Sequence, residues 1–362
     1  MIQLILHEFH QSQGALFAEL NGVPVVSDYG DWLAEHAALH ETAGVLDLSF
    51  RSRLCLVGAD RARFLHGQVT NDVKKLRIGE GCYAAITTVK GKMESDLNIF
   101  CLADELLLDF EPGLAEKISQ RLEKYIVADD VQIVDAAPHY GLLSVQGPQA
   151  EATVRAVDLL AEIPASPLAS VKTLDATLGE IYLTRHARLG SAGFDLFVPN
   201  HSLGALADKL IAGAKPTGGR ACGWRAFETA RIEAGIPRFG ADMDETNLPL
   251  ECGIEARAIT YTKGCYIGQE VINRLHSVGH VNRELRGLRL ADDLKALPQK
   301  RDKLLLEGKE AGHISSAAKS PKLNANIALG YVRRGAGQSG NELTLQTADG
   351  VSFATIVPLP FV

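Results

Sequence analysis

Long apolar runs are missing from this 362-residue chain: 46% of it is hydrophobic, yet no run approaches the roughly 20 residues of a membrane-spanning helix. Ile2 to Leu6 is apolar but too short for the core of a secretion signal, and it runs straight into His7 and Glu8. Cysteine is sparse and scattered. The six, at 55, 82, 101, 222, 252 and 265, include no C-x-x-C pair, which argues against a zinc site or a cluster cradle and fits a reducing compartment. Positive charge is not in excess either. With 37 basic against 44 acidic residues and a net charge of -7, nothing global attracts nucleic acid or an anionic membrane. These absences together predict a cytoplasmic protein.

Phosphate-binding glycine motifs are lacking too. Gly79 to Ala84 formally fits G-x-G-x-x-A, but strand-like residues follow it where a pyrophosphate site needs a helix N-terminus, so it reads as a hairpin turn. Thr88-Val89-Lys90-Gly91-Lys92 has no second glycine at P-loop spacing. His36 and His40 stand four apart on a predicted helix without the glutamate of the zinc-protease motif, and read as a satisfied or solvated face.

What is present is enough apolar sequence for two or three cores. Asp31 opens a predicted helix that Gly44 ends. From 53 to 135 the pattern is β-α-β-β-α-β with an extra hairpin: strands near 53–57, 82–88, 94–103, 106–110 and 130–135, a helix capped by Asp60, and another near 113–125. A similar rhythm follows Tyr140, with strands near 142–145, 180–186 and 193–198 and helices after Pro148 and near 201–212 and 221–234. Short apolar runs at 285–290, 303–306, 326–332, 341–346 and 351–357 read as a small all-β barrel. The fold class is therefore α+β with a β tail.

The densest chemistry lies in Lys263-Gly264-Cys265-Tyr266-Ile267-Gly268-Gln269-Glu270. Two glycines bracket the thiol, as a tight turn or a close approach requires, and a cation two residues away favours thiolate, the nucleophilic and metal-binding form. The plainer alternative is a small buried hydrophobe.

This stretch resembles the signature of the YgfZ family, folate-binding proteins implicated in maturing or repairing iron-sulfur proteins. Arg231 to Pro237 and Leu248 to Glu251 support the likeness. The wider chain resembles the related glycine-cleavage T-protein, a tetrahydrofolate-dependent aminomethyltransferase, through Asp47-Leu48-Ser49, Phe64-Leu65, Thr70-Asn71-Asp72, Gln146-Gly147-Pro148, Gly193 to Leu196 and the barrel-like tail. The resemblance implies a three-lobed ring. Residues 1–50 with 138–260 would form one ferredoxin-like α+β lobe and 51–137 a second, followed by a signature segment and linker at 261–284 and a barrel at 285–362.

The resemblance also implies a ligand, tetrahydrofolate or a one-carbon derivative, and residues for it. A pterin presents a ring N–H beside an exocyclic amine, which a carboxylate can accept together. Asp195 aligns with the T-protein glutamate that holds the pterin, Asp96 with the acidic position near the reactive folate nitrogens, and Tyr83 and Asn71 join the folate-binding set. Cys265, Lys263 and Asp96 are the implied catalytic groups, with no metal held by the chain. Two departures stand out: Phe227-Glu228 replaces an Arg-Asp pair, losing a guanidinium, and Ala187 to Ser191 replaces the lead-in Gly-Tyr-Thr-Gly-Glu. Three functions follow in order: a folate-binding accessory protein of iron-sulfur assembly or repair acting with client proteins through Cys265; a folate-dependent aminomethyltransferase or demethylase using Asp96; and a non-catalytic folate sensor.

Overall fold

The computed structural model describes residues 4–158 and 162–362. They divide into two compact units, one of residues up to 84 together with 96–228, the other of 85–95 together with 229–362. The first unit is built on a two-stranded hairpin, Leu16–Leu20 with Val23–Asp28, and two large sheets. One runs in the order Gly81–Thr87, Met93–Cys101, Glu105–Phe110, Ser52–Val57, Gln132–Asp135, with helices Arg61–Gln68 and Ala115–Glu123 as its crossovers. That is the ferredoxin-like order with one extra edge strand. Asp60 precedes the first helix but does not cap it with its side chain, which instead accepts the Asp130 N–H at 3.0 Å and so ties the helix start to the segment leading into the last strand.

The other sheet runs Ser170–Asp175, Gly179–Arg185, Gly193–Pro199, Tyr140–Gln146, Gly44–Asp47, Arg220–Ala221. Its fifth strand comes from ahead of the whole first sheet in sequence. The expected helix is Trp32–Glu41, capped by Asp31 through the Ala34 N–H at 3.1 Å, but Gly44 does not end it. Gly44 opens the inserted strand. A Cβ there would lie 2.4 Å from the Leu39 side chain and 2.7 Å from the Cys222 sulfur, so the missing side chain is what lets the strand enter. Helices Ala150–Ala156 and Leu203–Ala214 cover one face, packing Val154, Leu206 and Leu210 on Val145, Leu183, Phe194 and Leu196.

The second unit carries a closed antiparallel barrel, in the order Arg283–Leu290, Ala325–Arg333, Lys309–Ser320, Lys303–Leu306, Glu342–Thr347, Gly350–Val357. Leu288, Ile314, Val332, Leu343, Leu345 and Ile356 fill it. The architecture is thus α+β with a C-terminal six-stranded barrel. Lys309–Ser320, its longest strand, gave no strand signal in sequence because its buried positions are alanine and serine apart from Ile314. Among the described residues no helix is long and apolar enough to cross a membrane.

Candidate functional site: a charged junction in the first unit

A polar cluster joins the two large sheets of the first unit. Its centre is Asp109, in a strand of sequence Glu-Leu-Leu-Leu-Asp-Phe that is buried on both faces. A carboxylate with no access to water needs cations, and two reach it. Arg51 Nε donates to Asp109 Oδ1 at 2.8 Å and Arg188 donates to Oδ2 at 2.8 Å, while Asn98 adds a bond at 3.1 Å. Burial alone would raise the Asp109 pKa, but the two guanidiniums outweigh it and hold the carboxyl well below its ordinary range. The second arm of Arg51 reaches Glu111 at 2.8 Å.

Arg188 continues the chain of charges into the other sheet. Its Nε lies 3.1 and 2.9 Å from the two oxygens of Asp195, and a terminal nitrogen lies 2.7 Å from Oδ2. His186 Nδ1 is 2.8 Å from the same Oδ2. Asp195 is fully buried; desolvation pushes its pKa up, but the Arg188 charge prevails and keeps it lowered. The His186 pKa moves down, first through burial and then through Arg188, so the ring is neutral at pH 7 and donates from Nδ1. The carboxylate expected to await a pterin therefore already holds the chain's own guanidinium.

Asp96 differs from its neighbours. It accepts the Tyr83 hydroxyl at 2.7 Å, and burial followed by the Glu111 charge pushes its pKa up to about 6 against the weaker pull of Tyr83 and Arg51. Asn71 uses its amide to brace this pair: Nδ2 donates to the Tyr83 carbonyl at 2.9 Å and Oδ1 accepts the Asp72 N–H at 2.8 Å. Arg53, fully buried beside the cluster, donates to the carbonyls of Tyr140, Arg51 and Ser49 at 3.1, 2.9 and 3.0 Å, and burial lowers its pKa to about 10.

The structure thus brings Asp195, Asp96, Tyr83 and Asn71 into one unit and joins them to Asp109, Glu111, Arg51, Arg188 and His186, which sequence reasoning missed. The signal was present: Arg51 and Arg53 flank the start of a strand, and Asp109 and Glu111 interrupt an apolar one. The altered lead-in contributes a guanidinium of its own to the cluster, that of Arg188. Phe227 is buried and packs on Trp224, ring centroids 5.2 Å apart.

Cys265 and Lys263 belong to the second unit. Cys265 is exposed, so it is not the buried hydrophobe of the plainer alternative. Lys263 is buried with its ammonium 4.8 Å from the centre of the Tyr266 ring. Gly268 has φ +90°, and a Cβ there would lie 2.6 Å from both Thr87 Oγ1 and the Thr88 carbonyl. Thr87 Oγ1 donates to the Ile267 carbonyl at 2.6 Å. The signature glycine therefore seats the hairpin tip of 85–95 against the start of helix Gln269–Ser277, an element where the sequence suggested a linker.

Comparison with known proteins decides the family. Residues 6–263 match the GCVT N-terminal domain, and residues 283–362 match the glycine cleavage T-protein C-terminal barrel domain. The chain belongs to the glycine cleavage T-protein family. An aminomethyltransferase of Geobacillus thermodenitrificans is 30% identical, covering 96% of this chain and 94% of that protein. One of Halalkalibacterium halodurans is 27% identical, covering 98% and 96%. In fold, the glycine cleavage system aminomethyltransferase T of Bartonella henselae superposes with a TM-score of 0.90 at 23% identity over 100% of this chain and 98% of that one.

The T-protein-like segments have physical roles here. Gln146 donates to the His186 carbonyl at 2.9 Å and accepts the Arg188 N–H at 2.9 Å, so its amide pins the loop that aims Arg188. Gly193 is what admits that amide, since a Cβ there would sit 2.2 Å from Gln146 Oε1. In the second unit, the segments that accompany the YgfZ-like signature have roles too: Arg231 bonds Asp242, the Ile236 carbonyl at 3.2 Å and Ser316 at 2.8 Å, tying its helix to the barrel. Glu251 accepts the Leu248 N–H at 3.0 Å and Arg283 at 3.2 Å.

Proposed function

We propose that this chain binds tetrahydrofolate or a one-carbon derivative and handles the carbon it carries, with Asp96 as the proton-handling group. The observation that carries the reading is Asp96, which accepts the Tyr83 hydroxyl at 2.7 Å with its pKa raised to about 6, beside a junction in which the buried carboxylate of Asp195 takes paired N–H donors. A carboxylate that accepts a guanidinium fork can accept the parallel donors of a pteridine edge. Bound folate would supply a nucleophilic ring nitrogen. Asp96, poised between its two protonation states and oriented by Tyr83, would take or return a proton at a nitrogen. Asn71 acts through Tyr83, holding its strand. Full-length likeness to proteins named aminomethyltransferase supports transfer of an aminomethyl carbon.

A second reading is favoured by one observation, the exposed Cys265 in a signature resembling that of the YgfZ family. Aminomethyl transfer has no use for that thiol, whereas an accessory protein of iron-sulfur assembly or repair does. One cysteine does not hold a cluster alone, so partner proteins or small thiols would complete any such site.

The experiment is calorimetric titration of tetrahydrofolate, followed by incubation with aminomethylated carrier protein. Asp195→Asn should weaken binding by about 1.5 to 3 kcal/mol, the worth of a charge-assisted bond; unchanged affinity removes that residue. Rapid stoichiometric ammonia release supports the transferase. Binding without release, joined to loss of iron-sulfur enzyme activity in cells carrying Cys265→Ser, supports the accessory role.

A further inference from the structure

The carboxylate proposed to receive the pterin edge is taken. Arg188 places Nε and a terminal nitrogen on the two oxygens of Asp195, at 2.7 to 3.1 Å, and the loop behind it is pinned through the Gln146 amide. A guanidinium and a 2-aminopyrimidinone edge present the same thing to a carboxylate, two parallel N–H donors on a planar, delocalised frame. Arg188 does not depend on Asp195 alone, because the same terminal nitrogen lies 2.8 Å from Asp109, which Arg51 also neutralises. A guanidinium released from Asp195 keeps a buried partner.

We propose that Arg188 is a built-in, displaceable occupant of Asp195 and the specificity-determining residue of the site: a ligand binds by replacing its paired donors while Arg188 stays on Asp109. The inference rests on Asp195 being the ligand's acceptor. It has a definite selectivity. A ring bearing both the ring N–H and the exocyclic amine replaces what it removes, whereas a ring with a carbonyl in place of the amine would leave a buried carboxylate facing an acceptor. Occupancy by Arg188 also lowers apparent affinity for every ligand, since only the fraction of molecules with Asp195 vacated can bind.

The test uses 2-amino-4-hydroxypyrimidine, the isolated edge, and tetrahydrofolate, titrated by calorimetry into the full chain, Arg188→Ala and the double variant Arg188→Ala with Asp195→Asn. The fragment should bind Arg188→Ala about tenfold or more tighter than the native chain and lose that gain in the double variant. Equal or weaker binding to Arg188→Ala, or no binding to it, overturns the proposal. If the fragment follows the expected pattern while tetrahydrofolate binds none of the three proteins, the folate reading falls and the role of Arg188 stands. Should Arg188→Ala not fold, the native chain decides: the Arg188 Nε–H resonance, protected in the free protein, should shift and lose protection as the fragment binds, and a resonance unmoved at saturation overturns the proposal.

Discussion

At the scale of single residues, Asp96 is held in a state that works against stability. Its pKa in the folded chain, about 6, lies above the ordinary 3.8, so the folded state keeps a proton that the unfolded state releases. The stabilising effect of that proton is complete below about pH 4 and is lost as pH rises to about 6. Asp96→Asn, which cannot ionise, should therefore raise stability at pH 7.5 by on the order of 2 kcal/mol and leave it little changed at pH 4. Chemical denaturation at the two pH values measures this, and an Asn variant less stable at both would show that the carboxylate is a structural partner. Asp195 and Asp109 behave oppositely. Their lowered pKa values add stability that is present at neutral pH and lost on acidification through their folded-state values. The residues that could be named from sequence, Asp96, Asp195, Tyr83 and Asn71, were those set in motifs of a resemblance. Arg51 and Asp109 carried a local signal, charge set against an apolar strand, but their pairing with each other and with Arg188 is a long-range contact that spacing along a chain does not encode.

Elements were read more easily than their joins. Period and punctuation located all five strands of the first sheet and three of the six in the second to within a few residues, and missed Ser170–Asp175, Gly44–Asp47 and Arg220–Ala221. The insertion of Gly44–Asp47 between Tyr140–Gln146 and Arg220–Ala221 was invisible, since nothing local to a four-residue strand says which sheet it enters. Glycine carries much of the missing information. At Gly268 the left-handed φ and the 2.6 Å approach of Thr87 and Thr88 act together, so Gly268→Ala should destabilise the second unit by about 2 to 4 kcal/mol. Gly253, at φ +72° with open space around it, is the control: Gly253→Ala should lose only the roughly 1 kcal/mol of the backbone conformation. Equal effects in a denaturant titration would mean that contact at 268 contributes nothing. In the barrel, a Cβ at Gly312 would lie 2.0 Å from the Tyr331 carbonyl, so Gly312→Ala must push its strand away from Ala325–Arg333, and near-native stability there would contradict the close pairing.

For the molecule as a whole, the six cysteines divide by exposure. Only Cys265 is exposed, while Cys55, Cys222 and Cys252 are buried and Cys82 and Cys101 are half-buried. Iodoacetamide on the native protein should modify Cys265 first, and peptide mapping that found one of the buried three labelled equally fast would reveal an opening of the fold. A folate that binds only the folded protein should add about 2.7 kcal/mol to unfolding at a free concentration about a hundredfold above Kd, read as a concentration-dependent rise in Tm. The pinned loop has a historical consequence. Gly193 has no side chain because Gln146 fills the space, and Gln146 is what fixes the backbone of Arg188. Descent with modification cannot alter residues 146 and 193 independently. A lineage that enlarges residue 193 must first shorten residue 146, and on doing so it frees the backbone of the loop at 188, so residues 146 and 193 are expected to be inherited, and lost, together, whichever side chain stands at 188.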